Sequence, residues 1–374
     1  MTAWTKRWLG AALAAGMAGT GLSALASDAA VTAEVMPLVT TRSVMLDITE
    51  AASRGVMVGE RGHVFVSESR TDWRQVEGVP TRVTLTAVDA VGDTVWAVGH
   101  DGTIIKSTDG GLSWALKRQD AGSRAGEPIA DEAADASMEW DPQAGAPLLD
   151  VAFFDEQNGF AIGAFSLMLH SVDGGETWEK VDVNPQAEVD EPADDEPAAE
   201  GDGWTFDESD LELQEEDDPH LNAIVRTPSG LMMVVGERGS AYRSRDRGAT
   251  WERLQLPYAG SMFGVIALGS EHLVAFGLRG HVLETQDGGT SWNELDTGTE
   301  LSLMGGAALD QGGFVIVGAN GIVLRRENAG AAIEVGTFVN GNQETPILAS
   351  VLPRGSQTFI VCGEKGVGEY RMTP

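Results

Sequence analysis

One cysteine, three tyrosines and six histidines in 374 residues leave little from which to build a catalytic or metal centre. Cys362, in the apolar run FIVCG, cannot form an internal disulfide and reads as a small buried strand residue. The histidines show neither H-x-x-H nor H-E-x-x-H spacing, so no dedicated metal site is expected. His63 and His281 fall in matching phrases (RGHVF and RGHVL), which reflects repetition of the chain more than ligation. A G-x-x-x-x-G-K-[ST] phosphate loop and a G-x-S-x-G nucleophile elbow are both missing, and no cofactor is expected. Basic residues are scarce as well. Lys and Arg number 25 against 57 Asp and Glu, a formal net charge of −32. That balance argues against nucleic acid and anionic membrane surfaces as partners.

Past the N-terminus no apolar run approaches membrane-spanning length. The N-terminus itself carries Lys6 and Arg7, an apolar stretch from Trp8 to Leu22, and Ala24-Leu25-Ala26. This is the pattern of a secretory signal peptide over 1–26, with cleavage expected after Ala26 and a retained anchor as the competing reading. The remainder, 27–374, is then a soluble exported domain, periplasmic in a Gram-negative source.

What the sequence does have is repetition. The stretch WAVGHDGTIIKSTDGGLSW, from Trp96 to Trp114, returns along most of the chain. Its best copies end in SVDGGETW, SRDRGATW and TQDGGTSW, sharing the core [ST]-x-D-x-G-x-[ST]-W. Each copy reads as two strands joined by a tight turn. The Asp accepts hydrogen bonds from its own turn, the Gly allows positive φ, and the Trp opens the next strand with a large apolar ring. These phrases resemble the Asp-box hairpin of β-propellers, including sialidases and photosystem II assembly factors. Asp109, Asp173, Asp246 and Asp287, with Trp114, Trp178, Trp251 and Trp292, are therefore expected to brace turns, not to catalyse.

A glycine ends the second strand of each unit: Gly59, Gly99, Gly163, Gly236, Gly277, Gly318 and Gly363. Successive gaps are 40, 64, 73, 41, 41 and 45 residues. A repeat near 41 with four short strands is that of a propeller blade. The expected fold is all-β, a seven-bladed β-propeller of four-stranded blades, with a six-bladed ring as the alternative. The last unit holds three strands, and Val31–Leu38 is expected to supply its fourth and close the ring. Two gaps are overlong because of acidic inserts at 119–147 and 184–219, which carry −6 and −16 of the net charge. Such compositions are expected to be disordered. Neither insert contains a D-x-[DN]-x-[DN]-G calcium loop.

The topology of an up-and-down blade puts both inserts on the face that also bears the loops between second and third strands. Those loops read GERG, GHDG, GAFS, GERG, GLRG, GANG and GEKG, with a cation third in four of them. Arg61, Arg238, Arg279 and Lys365 are accordingly the candidate partner-binding residues, for an acidic or extended partner segment. Ordinary solvated loop residues are the competing reading. Sialidase-like chemistry would need an arginine cluster and a paired tyrosine nucleophile. Tyr242 and Tyr370 lie inside third strands, which leaves Tyr258 as the candidate for a carbohydrate-active or lectin-like alternative.

The export signal, the seven units and the WAVGxxGxIxxSxDGGxxW phrase together resemble the photosystem II stability and assembly factor family, over 43–374 as architecture. Members of that family are non-enzymatic propellers that assist photosynthesis by binding a reaction-centre subunit through an arginine patch. Arg238 and Arg279 are candidates for that patch. The acidic inserts and plain secretory signal depart from the family and look like relatives from non-photosynthetic bacteria. For these the resemblance implies a monomeric assembly module serving a membrane or envelope protein, such as an exporter complex.

Overall fold

The computed structural model describes residues 31–36, 42–120, 143–183 and 218–372. The chain divides between Ala30 and Val31, and the second unit holds the whole propeller. The first unit, with the expected signal peptide, lies outside the described residues, as do 121–142 and 184–217 of the inserts.

Seven antiparallel sheets succeed one another in chain order, each a simple meander. Blade one comprises β1 (Met45–Glu50), β2 (Gly55–Gly59), β3 (Val64–Ser67) and β4 (Arg74–Gln75). Blade two follows with β5 (Leu85–Val91), β6 (Thr94–Gly99), β7 (Ile104–Ser107) and β8 (Ala115–Arg118). Blade three has β9 (Leu148–Phe153), β10 (Gly159–Gly163), β11 (Met168–Ser171) and β12 (Glu179–Lys180). Blade four has β13 (Leu221–Arg226), β14 (Met232–Gly236), β15 (Ser240–Ser244) and β16 (Glu252–Gln255). Blade five runs through β17 (Met262–Ala267), β18 (Leu273–Gly277), β19 (Val282–Thr285) and β20 (Asn293–Glu294). Blade six is β21 (Leu303–Ala308), β22 (Phe314–Gly318), β23 (Ile322–Arg326) and β24 (Glu334–Thr337). Blade seven contains β25 (Leu348–Pro353), β26 (Thr358–Gly363) and β27 (Gly366–Arg371).

The second strands are buried on both sides and read as unbroken apolar runs, such as MMVVG in β14 and FVIVG in β22. Apolar clusters fill the seven junctions between blades, each drawing on both neighbours. Aromatic rings carry the junctions of blade three. Trp96 stacks on Phe153 at 3.6 Å, and Trp178 meets Phe153 edge-on at 5.8 Å. On the far side, Phe160 meets Trp251 edge-on at 5.7 Å.

The glycines ending the second strands owe their identity to crowding. Gly59, Gly277 and Gly318 have φ of −175°, which any residue adopts. A Cβ at any of the seven would lie between 2.1 and 2.3 Å from a carbonyl oxygen just before the first strand of its own blade.

The stretch 31–38, expected to close the ring, is described only over 31–36. Residues 31–36 form no strand, and their bonds go to blade one: Ala33 N donates to Val79 O at 2.9 Å, and Met36 N to Gln75 Oε1 at 2.9 Å. Among the described residues blade seven keeps three strands. Residues 37–41, which include the end of the expected strand, lie outside the described residues. Among the described residues, side chains join blades seven and one. Met45, Ile48, Met57 and Phe65 of blade one pack with Ile360 and Cys362 of blade seven. Ser350 Oγ donates to Asp47 Oδ1 at 2.8 Å across 303 residues of sequence.

Candidate binding face

One face, here called lower, carries the Asp-box turns. In blade two, Asp109 Oδ1 accepts the N–H groups of Leu112 and Ser113 at 3.0 and 2.9 Å, and Oδ2 accepts the Ser113 hydroxyl at 2.6 Å. Ser107 Oγ donates to Asp109 and accepts from Gly111 N, and Trp114 Nε1 reaches Gly111 O at 2.9 Å. The same local pattern recurs at Asp173, Asp246 and Asp287. Their carboxyls are held down to about 2, first by the hydroxyl bonds from Thr177, Thr250 and Ser291 and then by backbone N–H groups. The glycine three residues before each motif tryptophan sits at φ 84–87° and presses on the preceding blade. A Cβ at Gly175 would meet Trp96 at 2.7 Å, and one at Gly248 would meet Phe160 at 2.2 Å. These aspartates are saturated with donors from their own turns, so their arrangement serves the hairpin.

The opposite, upper face carries the loops between second and third strands. Arg61, Arg238 and Arg279 sit in left-handed conformation at φ 56, 55 and 56°. Asp101, Phe165 and Asn320 adopt it at the same place in blades two, three and six. Lys365 occupies a two-residue turn in which Gly366 takes the positive φ of 82°. All four cations are exposed. The glutamates beside three of them turn inward. Glu60 accepts Val44 N at 3.1 Å, Glu237 accepts His220 N at 3.3 Å, and Glu364 accepts Ile347 N at 3.4 Å. In the G-E-[RK]-G phrase, therefore, the acid fastens the start of the first strand while the cation faces solvent.

The roots of both acidic inserts lie on this face. Asp120 N donates to Asp101 O, Gln143 Nε2 to Phe165 O, and Ser166 N to Pro219 O. Phe165, 41% exposed, stands between these roots, with its ring edge-on to His220 at 5.2 Å. It is an exposed aromatic that a reading for cations passes over, although it fills the loop position of Arg61 and Arg238.

At blade five the upper face opens into a groove of about 710 Å³ lined by Arg279, His281, Glu294, Thr297 and Glu300. Tyr258 stacks on His281 at 3.7 Å, and His281 Nδ1 lies 2.5 Å from Glu294 Oε1. Its sequence counterpart His63 is wholly buried against Ser43 Oγ at 3.0 Å, and burial lowers its pKa. The two equivalent histidines thus have unlike surroundings. Tyr242 is fully buried inside β15.

Sequence reading also missed a row of carboxylates on the first strands, which line the central channel. Asp47 accepts Val88 N at 2.9 Å, Asp89 accepts Phe153 N at 2.7 Å, and Asp150 accepts Ile224 N at 2.8 Å, each bridging to the next blade. Burial pushes Asp47 up to about 6, against the bonds from Val88, Ser350 and Ile48. Burial likewise raises Asp89, with Arg226 opposing it, and raises Asp150 well above the carboxylate range. Among the described residues no contact joins Tyr258 to these acids, and no group of His, Cys, Asp and Glu is arranged to hold a metal.

The repeated Asp-box hairpins and the seven meandering blades define this chain as an Asp-box β-propeller. A family model described as photosynthesis system II assembly factor YCF48 matches residues 131–220. Photosystem II assembly lipoprotein Ycf48 of Prochlorococcus marinus (strain MIT 9312) is 39% identical over 66 residues, 18% of this chain and 19% of that protein. The alignment thus spans about a fifth of that relative's length. A solved structure of YCF48 bound to D1 peptide superposes with a TM-score of 0.59 at 15% identity, covering 91% of this chain and 97% of that one. Virginiamycin B lyase from Staphylococcus aureus superposes at 0.63 with 10% identity, covering 90% and 98%. The chain is thus similar to photosystem II assembly factors over part of its length and shares the β-propeller fold of the solved YCF48.

Proposed function

We propose that this protein is an exported, non-enzymatic assembly module that captures an acidic or extended segment of a membrane or envelope protein on its upper face. The observation that carries this is the recurrence of exposed cations at one loop position, Arg61, Arg238, Arg279 and Lys365, all on the face where the inserts are rooted. Arg238 and Arg279 lie on adjacent blades, and Lys365 and Arg61 lie on blades that meet at the ring closure. Exposed guanidinium groups suit carboxylate recognition, and Phe165 adds an aromatic anchor of the kind that dominates interfaces. The solved YCF48 with a bound D1 peptide supports peptide capture as a use of this fold. Under this reading residues 1–26 direct export to the periplasm, the propeller acts as a monomer, and the partner is an envelope protein such as an exporter component. The acidic inserts tune access to the face by repelling other anionic chains.

Affinity capture of the mature protein from its own envelope, compared with an Arg238→Ser/Arg279→Ser variant, tests the reading. Recovery of one membrane protein by the wild type alone is the expected result. Equal recovery by both would remove these two arginines from the function. A second reading, carbohydrate binding, is favoured by the Tyr258–His281 stack at the groove beside Glu294. Glycan-array binding that disappears in Tyr258→Ala would establish it in place of the first.

A further inference from the structure

Blade seven is the one blade whose fourth strand is missing among the described residues. In blades one, three and five the chain just beyond that strand follows a fixed rule. Val76 N donates to Val64 O, Val181 N to Met168 O, and Leu295 N to Val282 O, all at 2.9 Å. Each acceptor is the third-strand residue paired with the residue preceding the close-approach glycine: Val58 with Val64, Ile162 with Met168, Phe276 with Val282. The same register in blade seven pairs Cys362 with Val367. Val367 O is therefore the corresponding acceptor, and among the described residues no backbone N–H reaches it.

That edge is also a cleft. Val367, Gly368 and Glu369 form one wall of a groove of about 720 Å³ whose other lining includes Asn340, Lys365 and Arg42. The edge strand is six residues long, against two to four for the outermost strands of the other blades. Its negative residue Glu369 is already paired with Arg354 at 2.9 Å. Arg42 is exposed, and among the described residues Lys365 pairs with its neighbour Glu364 at 3.8 Å. Blade five shows what fills the equivalent space when the strand is present. There Arg279 shares its groove with Glu294, Leu295 and Asp296, the end of the blade's own fourth strand and the two residues after it.

We propose that the edge of β27, unpaired among the described residues, takes an extended segment of a partner polypeptide as a fourth strand, with an acidic side chain at the segment's C-terminal end beside Arg42 and Lys365. Strand addition satisfies edge backbone groups and gains affinity through main-chain bonds. The direction follows from the meander. A fourth strand runs antiparallel to the third, so its C-terminal end arrives at the upper face, where β27 begins and the two cations stand. A second copy of the chain is the poorer occupant, because a net charge of −32 opposes self-association. This site is separate from the Arg238 and Arg279 loops and does not depend on them.

The probe is a synthetic peptide of residues 289–299 (GTSWNELDTGT), blade five's own fourth strand with its flanks. Binding to the intact mature protein is followed by Trp anisotropy, and the site is mapped by amide hydrogen exchange. The expected result is saturable binding with new protection over Val367–Arg371. N-methylation of the peptide's leucine, which removes the donated N–H, should weaken binding about tenfold. Arg42→Glu/Lys365→Glu should weaken it by a similar factor, and Arg245→Ser in an Asp-box turn of the lower face should leave it unchanged. The proposal is overturned by absence of binding, by equal affinity of the N-methylated peptide, or by protection elsewhere than β27. It is equally overturned if β27 is already protected in the isolated monomer, which would mean the chain covers its own edge. Protection that appears only with dimerisation would assign the edge to a second copy.

Discussion

Replacing Asp47 with Asn should change how stability depends on pH more than it changes stability itself. Burial raises the Asp47 carboxyl from 3.8 to about 6. The folded protein therefore holds this proton more tightly than the unfolded chain does. Its contribution is fully present below pH 3.8 and is lost as pH rises through about 6. Two pKa units at roughly 1.4 kcal/mol each give a loss of about 3 kcal/mol by neutral pH. The groups facing Asp47 are Val88 N, Ile48 N and the Ser350 hydroxyl, with Asp89 and Asp150 as its charged neighbours. Asn keeps one acceptor but sets an amide against a backbone donor, at a pH-independent cost of about 1–3 kcal/mol. The variant should thus be less stable than wild type near pH 4.5, with the difference shrinking or reversing by pH 7.5. Relief of Asp150, which the Asp47 charge pushes up, acts in the same direction. Urea unfolding of both proteins across that range measures the difference directly. A difference independent of pH would show that Asp47 titrates normally and would refute the argument.

Phe153→Ala removes a fully buried ring held between Trp96 and Trp178, and should cost about 3–5 kcal/mol in denaturant unfolding. In Gly277→Ala, the new Cβ would lie 2.3 Å from Ser261 O, so the strand must shift, at a cost of about 1–3 kcal/mol. Gly341→Ala, where nothing lies within 4 Å, is the control and should stay within about 0.5 kcal/mol of wild type. Thr250→Val deletes the 2.7 Å hydroxyl bond to Asp246, and NMR titration should find that carboxyl moved up from about 2 toward its ordinary value.

The blades could be read from the sequence because their determinants are local. The Asp-box bonds span two to four residues, from Ser107 to Asp109 and from Asp109 to Ser113, so the phrase that encodes them is contiguous. The close-approach glycines recur for the same reason, since each packs against its own blade. Placement of the inserts and cations on one face followed from the alternation of a meander. The channel carboxylates were hidden because Asp47, Asp89 and Asp150 reach partners 41, 64 and 74 residues away, on strands whose relative rotation no local pattern states. Phe165 was hidden by chemistry, since its equivalents in neighbouring blades are charged or polar.

By itself, then, the sequence determined the number of blades, the hairpin turns and the set of loop positions, all products of short-range steric and hydrogen-bonding rules. Only the tertiary structure decided which side chains meet between blades seven and one. It used the Met45–Phe65–Cys362 cluster and the Asp47–Ser350 bond, and residues 31–36 bonded instead to the rim of blade one. Closure joins the two ends of the array, and the free energy of that junction depends on which side chains meet after seven blades of accumulated rotation. No window of the sequence contains both of its halves.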